Sequence, residues 1–427
     1  MLVETLELFF MILTGMILAY LVRHYVFTLA VIKNAHRQKG VDTSGGVRYQ
    51  PTVSVLIPAR NEGNVIGTIL HRMTELTYPK DKLQVIVIDD GSRDDTGKVA
   101  EQHAKAFNYI DVLKRDQNHG GQGKSAALNA GVKLAKNDII LCFDADYYPQ
   151  RDIIDKLVAK FSDPKVGAVQ ARITVLNEPI NMVTRLVALE RTGGYRVDQQ
   201  AREELGLIPQ FGGTAGAVRR SLLEQLGGWD ESILAEDTDL TFRVCLAGYK
   251  VRYVNDAECY EEAVESWRAY WKQRHRWAAG HMQCFFKHWL RVLRSNNLGF
   301  KEKIDGLLLL GVYFMPVLAL LSWIVGISLF FLKPLDWFRM LWALMPVSFY
   351  SCVGNFAPFF EVGIGVYLDG RTRAQWLVPL LVFTFLYNIP ICSKAFADLI
   401  SSKLLGARLD SWNKTAHSGN GNSYIMN

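Results

Sequence analysis

The six cysteines, Cys142, Cys245, Cys259, Cys284, Cys352 and Cys392, are scattered and include no Cys-x-x-Cys pair. That spacing gives neither a zinc site nor a disulfide framework. The net charge of +6 comes without a concentrated basic stripe, so nucleic acid is not an expected partner. There is no internal repeat and no long low-complexity linker. No Lys or Arg precedes the first apolar run, and Glu4 before it and Glu7 near its start stand there instead; a cleaved signal would carry a basic flank there. A Walker phosphate loop is also incomplete. Gly123-Lys124-Ser125 supplies its last step, but Asn118 stands where the pattern needs its first glycine. The stretch "HGGQGKSAAL" (119–128) is left with two readings. One is a flexible turn that starts a helix. The other is a diphosphate cradle, with Lys124 beside the backbone N–H groups of a helix start.

Long apolar runs, by contrast, are plentiful. Leu6–Val22, Gly306–Leu332, Met340–Phe360 and Gln375–Cys392 each approach the ~20 residues that a membrane helix needs. The fourth contains Pro379 and Pro390. Arg23, Lys33, Arg37 and Lys39 follow the first run, which places the central region in the cytoplasm and the N-terminus outside. Alternation of four spans then puts the polar tail outside. The expected organisation is a membrane helix with its basic flank over 1–39 and a soluble domain over 40–265. Amphipathic interface helices follow over 266–300, three membrane helices over 301–400 and a polar tail over 401–427. The expected location is the inner cell membrane, where a mildly basic chain suits anionic headgroups.

Within the soluble region, "VSVLIP" (53–58), "LQVIVIDDGS" (83–92) and "NDIILCFDAD" (137–146) read as buried strands. Strands alternating with helices imply a mostly parallel, Rossmann-like α/β sheet. Ligands of such sheets bind at the carboxyl ends of strands, where Asp89, Asp90, Asp144 and Asp146 fall. Asp144 and Asp146, one residue apart just past a strand, can share one hard divalent cation, Mg²⁺ or Mn²⁺, with phosphate oxygens. A solvated acidic turn is the plain alternative.

Six stretches then occur in order: "PARNE" (58–62), "DDGS" (89–92), "DAD" (144–146), "FGGTAGAVRR" (211–220), "AEDTDL" (235–240) and "QRHRW" (273–277). The last fits a Gln-x-x-Arg-Trp pattern through Gln273, Arg276 and Trp277. On these motifs the chain resembles the membrane-bound, processive family-2 glycosyltransferases, which include cellulose, chitin, hyaluronan and poly-N-acetylglucosamine synthases. The resemblance implies a GT-A fold and a UDP-sugar donor. It implies that Glu62 and the Asp89–Asp90 pair hold uridine or ribose, and that Lys124 approaches the diphosphate. It places Arg276 at the diphosphate and Trp277 beside the acceptor sugar, with Gln273 in the same motif. Ala59-Arg60 departs from the Thr or Tyr that relatives often carry, which leaves the individual nucleoside contacts open. The glycine loop then belongs to a sugar nucleotide rather than to an ATPase.

Asp237 in "AEDTDL" is the expected general base, since inverting transfer needs a carboxylate near the attacking hydroxyl. Glu236 and Asp239 are the alternative bases, and an acidic first helix turn is the structural alternative. Gly213 and Thr214 in "FGGTAGAVRR" are expected to floor the acceptor site, where small residues permit close backbone approach. Residues 267–294 read as a broken amphipathic helix rich in Trp and Arg, the composition of an interfacial helix; residues 180–197 read as a second.

The expected activity is inverting, processive polymerisation of a β-linked, poly-N-acetylglucosamine-like glycan. The growing glycan is the acceptor and is passed across the membrane, with lipid and a pore-completing second subunit as partners. Asn355, Glu361 and Asn388 are the polar candidates to face that path. A non-processive lipid glycosyltransferase using a UDP-sugar carries the same motif set. A non-enzymatic assembly partner is disfavoured by the intact acids Asp90, Asp144, Asp146 and Asp237.

Overall fold

The β-branched stretches become the centre of a sheet in the computed structural model, which describes residues 1–35, 49–116, 120–332 and 355–405. After α1 (Leu2–Ala35), strands β1 (Val53–Ala59), β2 (Leu83–Asp89), β3 (Ile110–Lys114) and β4 (Ile139–Cys142) pair in parallel, in the order β3-β2-β1-β4. Helices α2 (Ile66–Glu75), α3 (Thr96–Ala106) and α4 (Lys124–Val132) make the crossovers. The side chains alternate across the sheet, as the strand period requires. Val53, Val55, Ile57, Val85 and Val87 enter one core, and Leu56, Ile86 and Ile88 enter the core on the opposite face.

The chain continues through β5 (Tyr148–Pro149), α5 (Ile153–Val158) and β6 (Val166–Val175). Then come α6 (Met182–Arg191), a π-helical turn Thr192–Gln199 and α7 (Gln200–Leu205). Strand β7 (Gly216–Arg219), α8 (Arg220–Gln225), α9 (Glu236–Leu246) and β8 (Lys250–Glu261) complete the domain. Among the described residues the sheet has eight strands, in the order β3-β2-β1-β4-β7-β6-β8-β5. Four of its seven pairings are parallel, as expected, and the sheet is mixed because β7 runs antiparallel to both β4 and β6 and β5 antiparallel to β8. The parallel half places its carboxyl-end turns beside those of β4, which positions the site.

A helical layer follows. α10 (Trp267–Arg294) is one continuous helix, where the sequence predicts a broken one. Ser266 Oγ accepts from Ala269 N at 3.2 Å and caps its start. α11 (Phe300–Leu310) passes through a 3₁₀ turn, Val312–Phe314, into α12 (Met315–Leu332). α13 (Asn355–Leu368), a 3₁₀ segment Thr372–Leu380 and α14 (Leu381–Leu405) end the described chain. Among the described residues, Leu2–Ala35, Val312–Leu332 and Thr372–Leu405 are long and apolar enough to cross a membrane. Residues 340–354 of the expected run Met340–Phe360, and the tail from 406, lie outside the described residues.

Candidate active site

A cavity of about 600 Å³ starts at the carboxyl ends of β1, β2 and β4 and continues to the first turn of α12. At its sheet end, Asp90 N donates to Ala59 O at 2.9 Å, joining the ends of β1 and β2. The Asp90 carboxylate accepts from Gly121 N at 2.9 Å and pairs with Arg115 Nη1 at 2.5 Å. Asp90 therefore clamps the glycine loop to the sheet just before Lys124. Glu62 also lines the cavity, and its N–H donates to Thr96 Oγ1 at 2.8 Å. Asp89 does not line it. Its carboxylate accepts from Ser92 N at 3.0 Å instead, because neighbouring residues of a strand point to opposite faces.

Past β4, Asp144 N donates to Thr214 Oγ1 at 3.0 Å. Thr214, expected in the acceptor floor, is buried and spends its hydroxyl on this turn. Lys124 Nζ lies 2.5 Å from Asp144 Oδ1. Burial opposes the Lys124 charge, but Asp144 and Glu236 outweigh it and hold the ammonium well above the usual lysine range. Burial, with the charges of Asp144 and Glu261, drives the Asp146 carboxyl well above the usual range. Among the described residues no three His, Cys, Asp or Glu side chains are grouped to hold a metal ion. The donor set still fits a hard cation that takes one or two carboxylates from the protein and the rest from phosphate. The crowded acids at Asp146 are the charge such a cation would offset.

Arg276 lines the same region. Its Nε is buried without a partner. Its charge acts on Glu236, whose carboxyl is pushed up to about 7, first by burial and then by Asp237. A guanidinium with a buried, unsatisfied N–H facing acids is arranged for an anionic ligand. Gln273 lines the cavity one helical turn before Arg276.

α9 begins at Glu236, so Asp237 sits in its first turn and lines the cavity. Two glycines bring neighbouring chains against it. Gly213 has φ +72°, and a Cβ there would lie 3.0 Å from Asp237 Cβ. Gly280 lets α10 close on the turn before Glu236: a Cβ there would lie 2.7 Å from Ala235 N. Asp239, an alternative base, is fully buried outside the cavity. His288 Nε2 at 2.7 Å, Lys287 at 2.6 Å and Arg243 at 2.6 Å hold it.

Trp277 lines the cavity, but its ring is shared with two cations. Arg274 Cζ lies 4.4 Å and Arg191 Cζ 4.9 Å from the ring centroid. Glu190 fixes Arg274 at 2.5 Å, and Glu261 pairs with Arg191. The ring therefore offers a sugar less stacking surface than its motif implies. Asn388 lines the cavity and donates to Tyr270 Oη at 3.1 Å. Glu361 is outside it and contacts His24 Nδ1 at 2.5 Å, while Asn355 is the first residue of α13.

Several lining groups escape the sequence reading. Gln210 Nε2 donates to Thr238 Oγ1 at 2.8 Å, and Thr238 Oγ1 lies 3.2 Å from His281 Nε2. Burial lowers the His281 pKa to about 4, so the ring is neutral. The signal for His281 was its position four residues after Trp277, on the same helical face. Glu190 and Arg191 carry no comparable signal.

The family described as "Glycosyltransferase like family 2" matches residues 51–280. A probable glycosyltransferase of Bacillus subtilis, YdaM, is 39% identical over 238 residues, covering 56% of this chain and 57% of the relative. A beta-monoglucosyldiacylglycerol synthase of Synechocystis is 32% identical over 311 residues, covering 72% of this chain and 62% of the relative. The chain thus spans less than two thirds of the length of these curated relatives. Among solved structures, a mannosyltransferase from Pyrobaculum calidifontis in complex with GDP-Man and Mn²⁺ is similar, with a TM-score of 0.55 and 23% identity. That match covers 84% of this chain and 99% of the other, and establishes the GT-A-like fold.

Proposed function

The chain belongs to glycosyltransferase family 2, and from that premise we propose that it transfers glucose from UDP-glucose to the free hydroxyl of a diacylglycerol-type lipid. The observation that carries this reading is the two-ended cavity. Its sheet end is acidic and cationic, while Leu309, Val312, Met315, Pro316 and Phe385 line its other end, with the paired Arg23, Asp198 and Arg202 beside them. The apolar stretch suits the acyl part of a lipid acceptor, and the ion-paired groups beside it suit the polar head that carries the free hydroxyl. The printed names of the beta-monoglucosyldiacylglycerol synthases support the same choice. The lipid alternative therefore replaces the processive polymerase as the leading reading.

In this reading Asp237 accepts the proton of the lipid hydroxyl as that oxygen attacks the anomeric carbon. The bond to the diphosphate breaks, configuration inverts and UDP leaves. Lys124 and Arg276 face the leaving diphosphate and stabilise its growing charge. Asp144 and Asp146 would hold Mg²⁺ or Mn²⁺, which supplies further charge neutralisation there. Asp90 and Glu62 hold the nucleoside end. In this reading catalysis takes place on the cytoplasmic face, which the basic residues Arg23 and Lys33 after the first apolar run support.

The test is product analysis. Proteoliposomes containing diacylglycerol and supplied with radiolabelled UDP-glucose should put the label into a lipid extract as a one-sugar glycolipid. Label in an alcohol-insoluble polymer would restore the polymerase reading.

A further inference from the structure

We propose that α14 does not cross the bilayer. It lies in the membrane interface alongside α10, walls the acceptor end of the cavity on the membrane side, and leaves its own last turn, at Leu405, on the catalytic side. Composition alone reads this segment as a span, and the tail as outside.

The packing register is the first argument. Tyr387 meets Trp267 and Trp271 with ring centroids 5.2 and 5.4 Å apart. Further along, Asp398 lies 2.9 Å from His275. Cys392, Ala395 and Leu399 share a cluster with Ala278, Ala279 and Met282. At the far end, Lys403 Nζ sits 4.3 Å from the Phe286 ring centroid. The two helices therefore advance together, in the same direction, from residue 387 to residue 403. At 1.5 Å per residue that is about 24 Å of shared length, most of the ~30 Å hydrocarbon core. If α14 stood upright, α10 would stand beside it and carry Arg268 and Lys272, both exposed, into hydrocarbon. Charged side chains facing hydrocarbon are costly and rare.

The ends give the second argument. Leu381 packs with Leu186 and Leu189 of α6 and with Val362 and Val366 of α13. Lys403, at the other end, is on α10. A spanning helix would carry one end away from the catalytic domain; both ends of α14 rest on elements packed against it. α12 behaves differently. It runs along α1, with Gly326 against Phe10 and, just before the helix, Gly311 against Tyr20; it meets α14 near its own start, where Phe314 of the preceding 3₁₀ turn packs on Phe396.

The faces of α14 agree. Thr384, Ile391, Cys392, Ala395 and Leu399 are buried inward, while Phe383, Leu386, Ile400 and Leu404 are exposed. The exposed apolar row fits the headgroup–acyl boundary of a bilayer. Phe385, Asn388 and Cys392 line the cavity from this helix.

Two measurements on the full chain decide the matter. A green fluorescent protein fused to the C-terminus should fluoresce, and an alkaline phosphatase fused there should be inactive; the reverse pair overturns the proposal. In proteoliposomes, fluorophores on single cysteines at Phe383, Lys394 and Leu404 should be quenched alike by lipids spin-labelled near the headgroup. Deepest quenching at Lys394, with shallow ends, would mean a span. Should a labelled variant fail to insert, the fusions to the otherwise unaltered chain still decide.

Discussion

The two ends of the cavity are built by different means. The sheet end hangs on strand termini and main-chain N–H donors: Asp90 N donates to Ala59 O, Gly121 N donates to the Asp90 carboxylate, and Asp144 N donates to Thr214 Oγ1. The acceptor end hangs on helices tied by side chains: Glu190 to Arg274 and Tyr270, Glu261 to Arg191, and Asn388 to Tyr270. Backbone-fixed acids suit a donor whose nucleotide and diphosphate are invariant. A helical, side-chain-tied wall can vary its lining without disturbing the sheet.

That division makes separable predictions. The largest effect should come where the two ends meet. Asp237→Asn should cut transfer about 10²–10⁴-fold, the usual contribution of a general base, while UDP binding by calorimetry stays unchanged. A matching loss of UDP affinity would move Asp237 to the nucleotide. Arg276→Ala should act on the donor, weakening UDP-glucose binding by about 1.5–3 kcal/mol. Lys124→Ala should shift binding in the same direction, and chelation of divalent metal should stop transfer; full activity in excess EDTA would remove the metal from the account. Gly280→Ala forces a Cβ against Ala235 N and so pushes α10 from α9. Overpacking of this kind costs about 1–3 kcal/mol, and melting temperature and turnover should both fall.

The smallest effect concerns pH. The folded chain holds His281 neutral down to about 4, whereas the unfolded chain binds the proton near 6.5. The unfolded state thus gains protons first, and stability falls as pH drops below that value. Between pH 8 and pH 6 this amounts to about 1 kcal/mol. His281→Gln should flatten that part of the melting-temperature profile; an unchanged slope would locate the acid sensitivity elsewhere.

The difference between the ends also explains what the sequence makes legible. The strands ending at Ala59, Asp89 and Cys142 stand out because buried parallel strands are continuous β-branched runs, and the acids that follow them fall at one sheet edge. Asp89 misleads because only one of two adjacent acids can face the cavity. The antiparallel β7 hides in a glycine-rich stretch. At the acceptor end, contacts join residues far apart in sequence, such as Glu190 with Arg274, and no local pattern announces them. Apolar runs mark helices long and apolar enough for a membrane, but an in-plane helix and a spanning one share that composition, so only the packing of α14 against α10 separates it from α12.

The central claim is that the lipid acceptor occupies the apolar end of a cavity whose other end binds the donor independently. Met315→Trp fills that end at the start of α12. In proteoliposomes the account predicts glucolipid formation reduced about 10- to 100-fold, the scale of overpacking a fitted site, with UDP-glucose affinity unchanged. Wild-type glucolipid formation, or a parallel loss of UDP-glucose binding, would contradict it.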